Sequence, residues 1–301
     1  MGNAIKADIR AVRRITEGTV NVRASWSADL LNFDEVQNMI ACTRPSHVIH
    51  CAAKVGGVGA NSKSQGTFFY ENSRINLNVL ESAKIYGVKN VLSVLSTCIY
   101  PAETEYPLTE ANIHNGEPHE TNYGYAYAKR VLDIQSRAYR EQWGLNYSCV
   151  IPTNTYGKHD NFNLEDSHVV PGLIHKCYLA KRDNTDFKVW GSGKPLREFV
   201  YSEDMGELIE WASYNYDESE PIILTHSQEI SIADLVGIIA EAMDFKGNIV
   251  FGADGLEGQY RKPSSNDKLK SYLPDFKFTP IEKGIKETVD WFIANYETCR
   301  K

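Results

Sequence analysis

The chain has 301 residues, is 42% hydrophobic and 24% charged, and carries a formal net charge of −7. That length can bury a large core as one big domain or two closely joined ones. The acidic balance offers no basic surface for nucleic acid, and no apolar run approaches the roughly 18 residues that read as a membrane span. Arg10, Arg13 and Arg14 are followed by no apolar stretch, so the opening is not a secretory signal. The six cysteines, at 42, 51, 98, 149, 177 and 299, form no CxxC pair and no metal-ligand spacing, as expected of reduced thiols in a cytoplasmic protein.

In chain order, residues 3–15 have a helical cadence, with Ala4, Ile5, Ile9, Val12 and Ile15 apolar. "GTVNVRA" (18–24) reads as a strand and "NFDEVQNMIA" as a short helix after it. "HVIHCAA" (47–53) is a buried-type strand entered through Arg44-Pro45-Ser46. Residues 71–86 place Ile75, Val79, Leu80 and Ala83 on a helix that ends before Gly87. "NVLSVLS" (90–96) is a strand, 123–142 a helix and "NYSCVI" (146–151) a third strand of this series. This alternation implies an α/β fold, a Rossmann-like doubly wound parallel sheet.

From about Tyr156 the texture changes to polar loops such as "GKHDNFNLEDSH" and "WGSGKPLREF". Ser231 can cap a helix through Leu235, Val236, Ile239 and Met243. A last amphipathic helix carries Ile285, Val289, Phe292 and Tyr296. The expected division is a dinucleotide-binding domain over 1–155 and a smaller substrate lobe over 156–301, with some segments returning to the first domain. Such a lobe places a cleft at the carboxyl ends of the parallel strands.

The chemistry concentrates in two stretches. "STCIYP" starts at Ser96, where a strand ends, and "YGYAYAKR" sets Tyr125 and Lys129 one helical turn apart on one face. A cation beside a phenol favours the phenolate. With a strand-end hydroxyl on the same substrate oxygen, the three make a proton donor for a carbonyl that receives hydride. Tyr-x-x-x-Lys alone is an ordinary helix-surface pair; the strand-end Ser and the surrounding βαβ pattern favour the chemical reading. Tyr123 and Tyr127 have no Lys four residues later.

These stretches, with "SHVIHCAAKVGG", "IPTNTYGKHDNFN", "DSHVVPGLIHK", "VWGSGKPLREFVYSEDM" and "YLPDFKFTP", resemble the GDP-L-fucose synthase family of extended short-chain dehydrogenase/reductases, nearly end to end. The resemblance implies NADP(H) as cofactor and a GDP-sugar as substrate. The implied reaction is 3,5-epimerisation of GDP-4-keto-6-deoxy-D-mannose, then reduction at C4. Ser96, Tyr125 and Lys129 match the family's reductase triad, Cys98 its epimerisation base and His168 the acid partner. Cys and His both titrate near neutrality when tuned, which suits inversion at carbons acidified by a 4-keto group. On their own, Cys98 reads as a small buried thiol and His168 as a loop histidine capping a backbone group.

For the cofactor, the matches are Gly2, Ala52, Ala53, Lys129, His168 and Pro152, Thr153, Asn154 and Thr155 of "PTNT". For the GDP-sugar they are Lys176, Trp190, Arg197 and Glu257, the last where the family usually has Asp. Asn61 has no assignable role. "GGVG" (56–59) and "GSG" (191–193) lack the third glycine of a dinucleotide fingerprint. Gly2 aligns with the third glycine of the family's G-x-x-G-x-x-G loop. The resemblance thus sets a strand and two glycines, roughly a dozen residues, ahead of it; a chain without them should bind NADPH poorly. The resemblance also implies a homodimer, formed by the helices at 71–86 and 123–142. Two readings stay beside the main one: another nucleotide-sugar 4-epimerase or dehydratase, which has no need of Cys98 with His168, and a non-catalytic binding protein or dimer partner descended from such an enzyme.

Overall fold

Val91 and Leu92, and Tyr147 through Ile151, are almost fully buried, as strands covered on both faces require. The computed structural model describes residues 6–10, 25–56, 58–252 and 260–301. In chain order it has β1 (Lys6–Arg10), β2 (Ser25–Asp29), α1 (Phe33–Thr43), β3 (His47–His50), α2 (Val58–Lys63), α3 (Gln65–Ile85), β4 (Asn90–Val94), α4 (Tyr123–Trp143), β5 (Asn146–Pro152) and β6 (Asn154–Tyr156). The second half adds α5 (Val169–Asp183), β7 (Phe187–Trp190), β8 (Leu196–Tyr201), α6 (Ser202–Asn215), β9 (Ile222–Leu224), β10 (Glu229–Ser231), α7 (Ile232–Ala242), β11 (Ile249–Gly252), α8 (Asp267–Tyr272) and α9 (Ile281–Ala294).

The main sheet runs β3-β4-β5-β9, and every pair in it is parallel. Two-residue alternation sends Val91, Tyr147, Cys149 and Ile151 to one face, where Ile75 and Leu80 of α3 and Leu132 of α4 cover them. Leu92 and Val150 go to the other face, against Met205 and Leu208 of α6. Burying each such aliphatic side chain contributes roughly 1.5–3 kcal/mol. The two helical layers therefore hold the carboxyl ends of the strands rigidly, and the site forms there. A separate core, with Phe162, Ile174, Phe199, Leu235, Ile239, Ile285 and Phe292, lies in the second half of the chain. β9 returns from that half to pair with β5, a strand the sequence reading did not single out.

Several expectations are corrected. A helix was expected over 3–15, but Lys6–Arg10 is a strand, antiparallel to β2, with Ile9 opposite Trp26. "KADIR" alternates polar and apolar as well as it spaces a helix, and ladder hydrogen bonds decide between the two. The strand expected over 18–24 lies outside the described residues. α3 starts at Gln65, not near 71. Its first residue is tied to another segment, since the Gln65 side chain donates to the Glu120 carbonyl and accepts from the Gly124 amide. "GGVG" does lead into a helix, the short α2, though after β3 and not after a first strand. Tyr296 lies past the end of α9, yet its ring still packs 5.5 Å from that of Phe292. Among the described residues β3 pairs with β4 alone, and Ile49 on it is 43% exposed.

Candidate active site

The chain leaves β4 through Leu95, whose amide still bonds to the Val150 carbonyl at 2.8 Å. It then turns at once into one 3-10 turn, Thr97–Ile99. Ser96 is extended and caps that turn, its hydroxyl accepting from the Cys98 amide at 3.3 Å. This short cap is what sets a hydroxyl and a thiol two residues apart at the mouth of the sheet.

α4 brings the phenol and the amine. It can start close to α3 because residue 124 is glycine: a Cβ there would lie 2.3 Å from the Gln65 carbonyl oxygen. One turn on, Lys129 is buried and its Nζ donates to the Val94 carbonyl at 2.7 Å, pinning the helix to the end of β4. The same Nζ is 5.8 Å from the centre of the Tyr125 ring, and the Phe68 ring meets that ring edge-on at 6.5 Å. Burial brings Lys129 down to about 8. Burial, and then the nearby Cys98, push the Tyr125 phenol well above its ordinary range. The expectation that Lys129 lowers the phenol is therefore not met in the free protein. Loss of solvation outweighs a cation whose best hydrogen bond goes to a carbonyl. The result is a firmly protonated phenol, which is the form a proton donor needs.

A cavity of about 450 Å3 opens above these groups. Its wall brings together Ser96, Cys98, Tyr125, His168, Arg197 and the stretch from Pro152 to Thr155. Asn154 and Thr155 belong to β6, which pairs with β8, so one ladder links this stretch to Arg197. The Asn154 side chain also donates to the Glu198 carbonyl at 2.8 Å. His168 stands at the head of α5, is exposed and makes no side-chain capping bond. Its ring is thus available to the cavity and is not a cap. Burial pushes the Cys98 thiol up, against the pull of Ser96, Lys262 and Lys129.

Thr153 Oγ1, Asn122 Oδ1 and Ser264 Oγ are buried in this wall without a hydrogen-bond partner. A buried polar atom left so costs about 1–3 kcal/mol. A nicotinamide carboxamide and a polyhydroxylated sugar supply the missing donors and acceptors, so the wall fits both kinds of group.

Other expected residues stand apart. Ala52 and Ala53 follow β3 and do not line the cavity. Lys176 and Trp190 also lie off it, paired with each other: the Lys176 Nζ is 3.4 Å from the Trp190 ring centre, and Trp190 is 66% exposed. Gly2 and Glu257 lie outside the described residues. Asn122 and Ser264 of this wall carry no sequence signal, and the same holds for two charged residues in it. Glu198 is a buried carboxylate bound by the Ser264 amide and the Thr225 hydroxyl. Lys262 donates to the Thr97 carbonyl at 2.9 Å. Neither has a spacing signal, because each meets its partners across tens of residues of sequence. A larger hollow of about 690 Å3, lined by Leu273, Phe276, Phe278 and Ile281 among others, holds none of the expected site residues.

Residues 4–225 match the NAD dependent epimerase/dehydratase family. A GDP-L-fucose synthase of Dictyostelium discoideum is 48% identical over 303 aligned residues, covering 100% of this chain and 94% of its own. A GDP-L-fucose synthase of Escherichia coli (strain K12) is 34% identical, covering 96% of this chain and 94% of its own. Among solved structures, a GDP-L-fucose synthetase from Naegleria fowleri bound to NADP matches with a TM-score of 0.87 at 47% identity, over 91% of this chain and 84% of that one.

Proposed function

The chain belongs to the NAD dependent epimerase/dehydratase family and, within it, to the GDP-L-fucose synthases; from that premise we propose that it epimerises GDP-4-keto-6-deoxy-D-mannose at C3 and C5 and then reduces C4 with NADPH. The observation that carries this is a single cavity wall holding both sets of groups, Ser96 and Tyr125 for reduction, Cys98 and His168 for epimerisation.

The 4-keto group makes the protons on C3 and C5 acidic, since the electrons left behind spread into the carbonyl. Cys98 takes a proton on one face, and His168, from α5 across the cavity, returns one on the other. NADPH, when bound, supplies the hydride that C4 accepts. Tyr125 gives its phenolic proton to the C4 oxygen, and Ser96 hydrogen-bonds the same oxygen. Lys129 holds α4 against Val94 and so keeps Tyr125 in place. Pro152, Thr153, Asn154 and Thr155 receive the nicotinamide end, with the unpartnered Thr153 hydroxyl as the natural donor to it. Arg197 forks onto phosphate. The Lys176–Trp190 pair gives the nucleotide base a flat, cationic landing outside the sugar cavity.

In this reading residues 1–155 hold the cofactor and 156–301 mainly the substrate, the protein works in the cytoplasm, and two copies pair through α3 and α4. Exposed Phe69, Tyr70, Leu77 and Ile134 on those helices support the pairing. Sedimentation at micromolar protein should give the mass of a dimer; a monomer would count against it. The activity is tested by supplying GDP-4-keto-6-deoxy-D-mannose with NADPH. GDP-L-fucose and one oxidised cofactor per product are expected; a product retaining the D-manno configuration at C3 and C5 would overturn the assignment.

A further inference from the structure

Lys262 is a lysine in the wall of the cavity, far in sequence from Ser96, Cys98, Tyr125 and His168 there. Among the described residues it makes no ion pair with a carboxylate. Its hydrogen bond goes to the carbonyl of Thr97, the one residue between Ser96 and Cys98. The buried carboxylate in the same wall, Glu198, is already occupied by the Ser264 amide and the Thr225 hydroxyl. A solvent-poor ammonium with no counter-ion is costly. Here it faces a wall that also includes Arg197, and among the described residues no carboxylate pairs with it.

We propose that Lys262 is the positioning residue of the epimerisation base: its ammonium clamps the Thr97 carbonyl, which fixes the turn that carries Cys98, and supplies the positive charge beside which the Cys98 sulfur ionises. The proposal rests on the assignment of Cys98 as that base. When the thiolate forms, its negative charge is a counter-ion for Lys262. When the sulfur takes a proton from the sugar carbon, the electron pair passes into the enolate of the 4-keto group, so the negative charge stays in the same cavity.

Other charged and titratable groups bear on the thiol. Lys129, Arg130 and Tyr125 come from α4, His168 heads α5, and Arg197 lies on β8. Lys129 is engaged on the Val94 carbonyl, and Arg130 on the carbonyls of Gly116 and of Ile99, the last residue of the turn. Among the described residues two cations grip this turn, Arg130 at its far end on the Ile99 carbonyl and Lys262 on the carbonyl of Thr97, between Ser96 and Cys98. The electrostatic pull runs both ways: Lys262 favours the charged thiol, and the charged thiol favours protonated Lys262.

The test needs no substrate, so its failure is separate from a failure of the epimerase-reductase activity. The purified full chain is alkylated with iodoacetamide at several pH values, and labelling of Cys98 is followed by peptide mass spectrometry. Buried Cys149 reports unfolding if it becomes labelled, and exposed Cys42 is the internal rate standard. An opposite charge close by is worth a shift of about one unit or more. Lys262→Gln, which keeps a donor for the Thr97 carbonyl and removes the charge, should therefore slow Cys98 labelling about tenfold at neutral pH and move its pH profile upward. Lys262→Met should do at least as much, and Lys262→Arg should stay within about threefold of the parent. If folded Lys262→Gln labels Cys98 at the parent rate with the parent pH profile, the proposal is wrong. Loss of Cys149 protection in both uncharged variants, together with a folded Lys262→Arg that labels Cys98 more than about tenfold slower than the parent although its charge is kept, would assign Lys262 to the fold and overturn its role in charge.

Discussion

The two walls of the cavity are built on different principles. On the sheet side, Tyr125 and Lys129 are packed against Phe68 and Val94, and burial has already set their proton affinities. Opposite, His168 is exposed and makes no side-chain capping bond, and Trp190, off the cavity beside Lys176, is exposed too. The contrast teaches which half of the chemistry is pre-organised. Reduction needs a donor that is protonated before hydride arrives, and the fold supplies one. In the proposed reaction, epimerisation joins Cys98, beside Ser96 on the sheet side, to exposed His168, whose surroundings a ligand completes, as it does those of Trp190.

The sharpest way to break this comparison is to remove the pre-organised donor. Tyr125→Phe should lower kcat for NADPH oxidation by about 10²–10⁴-fold, while GDP-sugar affinity stays near the parent value and C3 and C5 protons still exchange with solvent. Stopped-flow absorbance of NADPH checks it; a kcat within threefold of the parent removes Tyr125 from the role.

The complementary change is on the epimerase groups. Cys98→Ser and His168→Gln should each slow deuterium incorporation at C3 and C5 by about 10²-fold, read by NMR of the sugar, with the fold unchanged by circular dichroism. Normal exchange at both carbons in both variants would leave the two walls without their supposed division of labour.

Smaller effects belong to the exposed nucleotide platform. Trp190→Ala removes the ring under the Lys176 ammonium, 3.4 Å from its centre. A stacked, cation-bearing ring contributes about 0.5–2 kcal/mol, so KM for the GDP-sugar should rise roughly three- to thirtyfold with kcat nearly unchanged. An equal loss in kcat would move Trp190 from holding the nucleotide to shaping the transition state.

The last test concerns stability. Lys129 titrates near 8 in the folded chain and at its ordinary 10.5 when unfolded. Between those values the unfolded chain binds more protons, so stability rises with pH by on the order of 3 kcal/mol across the window. Below about pH 8 the cost of the buried charge is carried in full. Lys129→Met should lack that rise, so denaturation midpoints taken from pH 8 to 10.5 should climb less in the variant than in the parent. Parallel curves would show that burial does not lower the proton affinity of Lys129.

How far the sequence could be read depended on whether a signal was local. The parallel strands at 47, 90 and 146 and the helix of Tyr125 were legible, because alternation and helical spacing are properties of a few adjacent residues. Ser96, Cys98 and Tyr125 were placed together correctly for the same reason, with the resemblance assigning their roles. The first elements were not legible: "KADIR" satisfies both periods, and its pairing with Ser25–Asp29 is a contact across intervening chain. The start of α3 was missed because Gln65 is fixed by Glu120 and Gly124. Lys262 and Glu198 enter the site only through folding, and the upward shift of Tyr125 follows from packing that no spacing encodes.

The central claim is that one cavity carries out both inversion and reduction. It is tested most directly by running the reaction in deuterium oxide with unlabelled NADPH and following the sugar protons by NMR. The account expects GDP-L-fucose with deuterium at both C3 and C5, the hydride proton of NADPH at C4, and one NADPH consumed per molecule formed. Reduction at C4 without deuterium at either carbon, or exchange at C3 and C5 with no cofactor consumed, would contradict it.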